Sequence, residues 1–258
     1  MAQAEPAVLC AARLAGMTWP TVEDGTLRPF PSADESFVDP RFAERVLAPL
    51  VVVDLAAIDP EWDGWLPIVA PYEPAEGYVG ERTTGVHSYF ARTNWLGFEL
   101  TPDGRLDFKG DWSFFEHYAH PSRSLAAHYE DQLAGFTQTR ALAREHGALI
   151  HLQDLEYYPL EQLLTRPQDW LVDVADPQPY GANWQHPRLF DLGGIEHGEE
   201  YGLSGVGGTD VHPLMPNGDR FHFVASVVGA HYLPRGADEV LVFFEPASRT
   251  VLVTFDYD

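Results

Sequence analysis

Cysteine is nearly absent from this sequence, since Cys10 is the only one among 258 residues. A single cysteine excludes an internal disulfide and any CxxC metal or redox motif. Disulfides stabilise many small proteins of oxidising compartments. The cysteine usage therefore gives no indication of such a compartment.

Basic residues are also scarce, with 16 Lys and Arg against 39 Asp and Glu and a formal net charge of −23. The acidic excess is spread along the chain, because residues 1–128 hold 19 acids and 9 bases, and residues 129–258 hold 20 and 7. Such a surface repels phosphate backbones and anionic lipids and attracts cationic partners. We therefore predict no nucleic-acid or membrane partner. Solubility alone is the simpler interpretation of the charge.

Long apolar runs are missing, and no window approaches the 18 residues of a membrane-spanning helix. The first residues contain Glu5 and Pro6 and no base before Arg13, which is unlike a signal peptide. We therefore predict a cytoplasmic location.

Motifs of the common enzyme classes are absent as well, including the P-loop and HExxH. In the glycine-rich run at residues 202–208, Val206 stands where a nucleophile elbow needs its second glycine. Asp210 stands where a dinucleotide fingerprint needs its third. Turns explain these glycines better, and we predict no cofactor.

The strongest pattern present is a group of three predicted strands near the C-terminus, at Phe221–Val228, Val240–Phe244 and Thr250–Phe255. The middle run, VLVFF, is apolar at odd and even positions alike, so both sides of the strand are apolar. A strand tolerates this only when both of its faces are covered. This group therefore predicts the centre of the core.

One long amphipathic helix is predicted over residues 121–147. Pro121 suits a first helical turn, and Gly147 suits a helix end. A stripe at 4, 4, 3 and 4 spacing is formed by Leu125, Tyr129, Leu133, Phe136 and Arg140. We expect only this face to be buried, across a sheet or between two halves.

Weaker signals predict strands at Leu50–Leu55, Val86–Ala91 and Leu149–Leu155, a hairpin of Trp95–Leu100 with Arg105–Lys109, and a short helix at Pro159–Leu164. The fold class predicted is α+β, with a mixed, mostly antiparallel sheet or sheets, the long helix and long turn-rich loops. We predict a single domain over residues 1–258. The alternative is two related β-rich halves, 1–120 and 148–258, joined by helix 121–147.

A base-poor segment, residues 145–219, holds 13 acids and only two bases, Arg166 and Arg188. Exposed aromatic residues among acids are typical of a surface that binds a basic partner. The predicted binding surface consists of Asp169, Trp170, Asp173, Asp176, Tyr180, Trp184, Glu196, Glu199 and Glu200.

Two alternative sites use histidine. Asp210, His212 and His222 could supply a carboxylate and imidazoles for general base catalysis, although a turn capped by Asp210 is the simpler interpretation. A metal site could be formed by His117, His120 and His128, but Pro121 breaks the helical phase between them. Structural histidines are the more common outcome.

The late segment contains Asn183–Gln185, Leu192–Gly194, the strand Phe221–Ala225 and the aromatic strand Leu241–Phe244. In these features it resembles the bacterial YwqG-like (DUF1963) proteins, and Pro49–Leu55 resembles another strand of that family. The resemblance implies a mixed α+β fold and brings no catalytic residues. Some members of that family are suspected of acting in toxin and immunity systems.

We therefore expect a non-enzymatic, acidic binding protein, of an immunity type that masks a basic protein partner. A metal-dependent or His/Asp-dependent hydrolase is the first alternative. A soluble scaffold, whose charge serves only solubility, is the second.

Overall fold

The computed structural model describes residues 20–165, 172–174, 183–185, 188–193 and 212–257. Within these ranges the chain has an α+β fold with mostly antiparallel sheets and one long helix, as predicted. The strands are β1 Leu27–Pro29, β2 Leu47–Asp54, β3 Trp65–Pro71, β4 Ala91–Arg92, β5 Trp95–Leu100, β6 Leu106–Phe108, β7 Val172–Asp173, β8 Leu192–Gly193, β9 His212–Pro213, β10 His222–Val227, β11 Glu239–Glu245 and β12 Thr250–Asp256.

The α-helices are α1 Ala33–Ser36, α2 Pro40–Ala43, α3 Leu55–Ile58, α4 Glu116–Ala119, α5 Arg123–His146 and α6 Leu160–Leu163. 3₁₀ segments occur at Glu81–Val86, with a kink at Thr83, and at Trp112–Phe114, Leu152–Glu156, Asn183–Gln185 and Gly229–His231. Among them, no helix has the length and apolar character needed to cross a bilayer.

The larger sheet has the order β4-β5-β12-β11-β10-β7, with β6 also beside β5. Its centre is β11 and β12, so the prediction for the C-terminal strands is confirmed. Val240, Val242 and Phe244 of β11 join the main core, whereas Leu241 and Phe243 face a second core cluster on the opposite side. Both faces of β11 are covered, which is why VLVFF is apolar at both parities.

The smaller sheet has the order β1-β2-β3. Strand β2 was predicted as Leu50–Leu55, but β3 was not predicted because Pro67 and Pro71 interrupt its apolar run. Proline cannot donate to a strand ladder, so it is normally confined to edge strands. Strand β3 is such an edge, with β2 on its only paired side.

Two predicted strands are wrong. Val86 ends a 3₁₀ segment, and Ala91 is the one residue of the predicted Val86–Ala91 strand that pairs with β5, together with the following Arg92. The predicted strand at Leu149–Leu155 is also absent, since Leu152–Glu156 forms a 3₁₀ helix. Leu149 and Ile150 are buried without strand pairing. A short apolar run looks the same in a buried turn as in a strand.

The long helix α5 is confirmed with nearly its predicted ends. The Ser122 side chain accepts from the Leu125 N–H at 3.2 Å, and Gly147 ends the helix at φ +69°. The predicted stripe is partly wrong, because Leu133 is 45% exposed and Arg140 is half-buried. The observed buried face contains Leu125, His128, Tyr129, Gln132, Gly135, Phe136, Thr139 and Ala143.

Polar groups on the buried face of α5 bond to segments that adjoin both sheets. His128 Nε2 lies 2.7 Å from the carbonyl oxygen of Tyr72, the residue after β3. The Gln132 amide both accepts from Arg235 N–H at 3.0 Å and donates to Arg235 O at 3.2 Å, in the connection between β10 and β11. Buried polar side chains need such partners. Helix α5 is therefore a brace between the two sheets.

Candidate functional site

Most of the predicted binding surface lies outside the described residues, namely Asp169, Trp170, Asp176, Tyr180, Glu196, Glu199 and Glu200. Asp173 is exposed on β7 at an edge of the larger sheet. Trp184 requires a correction, because its side chain is fully buried. Its ring centroid lies 5.5 Å from that of Phe243, so the indole packs in the second core cluster of the larger sheet and is not a surface anchor.

The alternative catalytic group is only partly described, since Asp210 lies outside the described residues. His212 and His222 belong to neighbouring strands, because Phe221 N–H donates to Pro213 O at 3.0 Å. The His222 ring meets Trp62 edge to face at 5.8 Å, and His212 packs closely against Gly193. The hydrolase built on these three residues stays a prediction.

The three histidines proposed as an alternative metal site have separate roles. His128 is buried with Nε2 on the Tyr72 carbonyl oxygen, and His117 packs against the ring of Tyr129 at 5.0 Å. His120 is exposed. Throughout the part of the chain that the structure describes, no group of three His, Cys, Asp or Glu side chains is placed to hold a metal ion. The described geometry therefore does not assemble this site.

An acidic and aromatic surface follows the long helix, inside the base-poor segment. We call it the tyrosine face, and it consists of Glu156, Tyr157, Tyr158, Glu161 and Leu164, all exposed. Tyr157 is 76% exposed, the largest value among the exposed large hydrophobic residues described. A tyrosine so exposed buries little area within its own chain, so its apolar ring is available to another molecule.

Local structure explains why these side chains point outward. The N–H groups of Tyr157 and Tyr158 both donate to Asp154 O, at 3.1 and 2.9 Å, and so close a tight turn. Pro159 then begins α6, whose Leu163 is fully buried. With Leu163 directed into the core, the neighbouring Leu164 is left at the surface.

The tyrosine face is anchored at both ends. Before it, the His151 and His231 rings stack with centroids 3.7 Å apart, and Gln153 Nε2 donates to Pro234 O at 3.4 Å. At its other end, Leu163 next to Leu164 is held in the core. A surface that is fixed before binding loses less conformational entropy when a partner docks.

The charge of this surface has one sign. Residues 147–165 contain three acids, Asp154, Glu156 and Glu161, and no Lys or Arg. Acids around an aromatic centre favour a partner with lysine and arginine around an apolar patch.

A cleft of about 690 Å³, here the helix cleft, lies between α5 and the segment that carries α1, α2 and β2. Its apolar lining includes Tyr72, Tyr129 and Phe136, and its charged lining includes Glu44, Glu130 and Arg140. This volume is typical of small-ligand pockets.

A buried carboxyl group lies behind the helix cleft. Glu73 is 3% exposed, and its Oε2 accepts from the Tyr129 hydroxyl and from Glu116 N–H at 2.9 Å. Its Oε1 is buried and has no hydrogen-bond partner. Burial disfavours the ionised form of such a carboxyl, whereas the two hydrogen bonds to Oε2 favour it.

The environment shifts several pKa values around this carboxyl. Burial raises the pKa of Glu73 to about 7, although the bonds from Tyr129 and Glu116 oppose the shift. Burial, together with the nearby Glu73 charge, also raises the pKa of Tyr129 well above its usual value. Burial and then the charge of Arg45 lower the pKa of His117. At neutral pH, Glu73 is therefore a mixture of its two protonation states.

Sequence reasoning identified neither Glu73 nor the tyrosine pair as site residues. The pair could have been found, because two adjacent tyrosines between acids lie inside the base-poor segment. Glu73 had no such signal, since its burial depends on a helix about fifty residues further along the chain.

No protein-family model matches this chain, and neither the curated proteins nor the solved structures include a significant match to it. The resemblance to the YwqG-like proteins therefore stays a prediction.

Proposed function

We propose that this protein is a non-enzymatic binding protein of the cytoplasm that masks a basic partner protein, as an immunity-type protein does. The observation that carries the proposal is the tyrosine face, an exposed pair of tyrosines flanked by acids. The net charge of −23 fits a partner protein with a strongly basic surface and does not fit a nucleic-acid partner.

Two physical effects support binding at this surface. Tyrosine is enriched among the residues that contribute most to interface affinity, because it buries a large ring and keeps a polar hydroxyl. The surrounding carboxylates attract a cationic partner over several ångströms and speed its association, at a rate that falls as salt rises.

The test replaces Tyr157 and Tyr158 together by alanine. The wild-type protein is immobilised, and an extract of its source cells is passed over it in about 50 and about 300 mM salt, a range in which screening increases strongly. We expect a protein with an isoelectric point above about 9 to be retained at low salt. Its purified form should bind the double variant at least about tenfold more weakly in calorimetry, a loss of about 1.4 kcal/mol.

A matched charge control separates the surface from the overall charge. Glu156→Gln with Glu161→Gln removes two charges from the tyrosine face, whereas Glu23→Gln with Glu61→Gln removes two exposed charges from loops of the smaller sheet. Only the variant with Glu156→Gln and Glu161→Gln should associate with the partner more slowly than the wild-type protein does. Retention of no basic protein, or equal binding by all variants, would leave the soluble scaffold as the better interpretation.

The alternative class, a hydrolase, is favoured by one specific observation, the pairing of Glu73 with a tyrosine that lines the helix cleft. In that function Tyr129 would pass a proton from a water in the helix cleft to ionised Glu73, the general base. Hydrolysis of p-nitrophenyl acetate would then rise through pH 7, the region of the Glu73 pKa. Tyr129→Phe and Glu73→Gln should each lower it by at least about 100-fold, and rates equal to wild type would exclude this function.

A further inference from the structure

A second pocket, of about 340 Å³, lies beside β4. Its wall residues come from other parts of the sequence than the tyrosine face. Its described wall consists of His87, Ser88, Arg92, Thr93, Arg188 and Leu189, and we call it the arginine pocket. None of these wall residues is acidic. Two arginines in one small pocket are notable in a chain with only 16 basic residues against 39 acids.

The Arg92 guanidinium lies over two adjacent aromatic rings. Its central carbon lies 4.8 Å from the ring centroid of Tyr89 and 5.1 Å from that of Phe190. Rings at this distance attract a cation and restrict its orientation. The guanidinium is therefore set in place before any ligand arrives.

Packing and hydrogen bonding fix both rings. The Tyr89 hydroxyl donates to Leu214 O at 2.7 Å, and the Phe190 ring lies 4.6 Å from the fully buried Trp95. Asp191 lies near the Tyr89 hydroxyl, since burial first and the Asp191 charge second raise the pKa of Tyr89 to about 12. Asp191 is not among the described wall residues of the arginine pocket.

Arg92 has unused hydrogen-bonding capacity. Its Nε is buried and has no hydrogen-bond partner. Among the described residues, no carboxylate forms an ion pair with its guanidinium. A partly buried guanidinium that forms no direct ion pair costs free energy. An anion in the pocket would remove this cost.

Two hydroxyl groups complete the donor set. Ser88 Oγ accepts from Ala91 N–H at 3.1 Å, so its own proton is available to a ligand. Thr93 supplies a second hydroxyl, and Arg188 supplies a second guanidinium at an exposed position of the wall. Guanidinium groups bind phosphate oxygens in pairs, and hydroxyls can donate to the remaining oxygens.

We propose that the arginine pocket binds a small phosphate monoester, with Arg92 as the central ligand-binding residue and Arg188, Ser88 and Thr93 around it. Such a ligand fits the 340 Å³ volume, which is at the lower end of the range for small-molecule sites. This binding is independent of the tyrosine face and of the partner protein.

The test measures the binding of phenyl phosphate by calorimetry at constant ionic strength. We expect the wild-type protein to bind it and Arg92→Met to bind it at least about tenfold more weakly, since methionine keeps an apolar side chain but no charge. Arg188→Gln should weaken binding severalfold. Arg188 is exposed, so we expect this variant to keep the wild-type fold. Circular dichroism spectra and melting curves of both variants check the fold.

Arg28→Gln is the matched control, because the Arg28 guanidinium also lies over a ring, 4.1 Å from the centroid of Trp65, but outside the pocket. It should bind phenyl phosphate like the wild-type protein. Three outcomes would overturn the proposal: no binding to wild type at about 10 mM ligand, weaker than any specific site; equal binding by the Arg92 and Arg188 variants and wild type; or tighter binding of benzoate, which would indicate a carboxylate site.

Discussion

Replacing Glu73 by glutamine should make the protein more stable by about 3 kcal/mol at pH 8 and change its stability little at pH 4. Glutamine has nearly the shape of a protonated glutamic acid and carries no charge to bury. Its carbonyl oxygen can accept the bonds from Tyr129 and Glu116 that Glu73 Oε2 accepts in the wild-type protein. The free energy of unfolding, from urea titrations at several pH values, checks this.

The sign follows from the two pKa values of Glu73. Burial raises its pKa from 4.5 to about 7 in the folded protein, so the folded state holds the proton more tightly than the unfolded state. The resulting stability is present below pH 4.5 and is lost as the pH rises through 7. A shift of about 2.5 units corresponds to about 3 kcal/mol. The Glu73→Gln variant has no carboxyl group to ionise at this position, so it does not lose this stability at high pH.

The stacked pair of His151 and His231 changes the stability with pH in the direction opposite to Glu73. The stability of Glu73→Gln must therefore be compared with that of the wild-type protein at each pH. Burial, and then the charge of the stacked His151, lowers the pKa of His231 to about 4. The folded protein therefore loses stability as the pH falls from 6.5 toward 4. This contribution is common to wild type and Glu73→Gln and cancels in their difference. A difference that does not vary with pH would contradict the role assigned to Glu73.

Gly135→Ala should destabilise the protein by about 2 kcal/mol, although alanine normally stabilises a helix by about 1 kcal/mol over glycine. A Cβ atom at Gly135 would lie 2.1 Å from Cγ and 2.6 Å from Cδ of Pro234. The proline ring is rigid, so the helix must move away from the connection between β10 and β11. Urea denaturation followed by tryptophan fluorescence gives the change in free energy.

The control for this prediction is Ala134→Gly, at the adjacent and exposed position of α5. It changes helix propensity without touching Pro234, so it should cost only about 1 kcal/mol. A Gly135→Ala variant as stable as the wild-type protein, or more so, would show that the close contact at Pro234 does not constrain the helix.

The predictable parts of the fold are those that depend on local pattern. The strands β10, β11 and β12 follow from apolar runs bounded by turns, and α5 follows from its stripe and its glycine end. Strand β3 could not be predicted, because two prolines in one short strand are tolerated where that strand lies at a sheet edge. The edge position is a tertiary property that the segment itself does not encode.

The candidate sites were less predictable for the same reason. Exposure of Tyr157 follows from the turn that its N–H closes on Asp154 O, and the pKa of Glu73 depends on a helix distant in sequence. Arg92 becomes a ligand-binding candidate only through the ring of Phe190, nearly one hundred residues away. Trp184 shows the reverse error, because tryptophan in an acidic segment resembles a surface anchor until its packing partners are known.

The brace formed by α5 has a consequence for the way the protein unfolds. Because one helix bonds to Tyr72 at the end of the smaller sheet and to the Arg235 connection of the larger sheet, loss of the helix removes buried contacts from both sheets at once. Melting should therefore be cooperative, with one transition and matching calorimetric and van't Hoff enthalpies. A fragment that ends before the helix would expose its apolar faces and aggregate instead of folding.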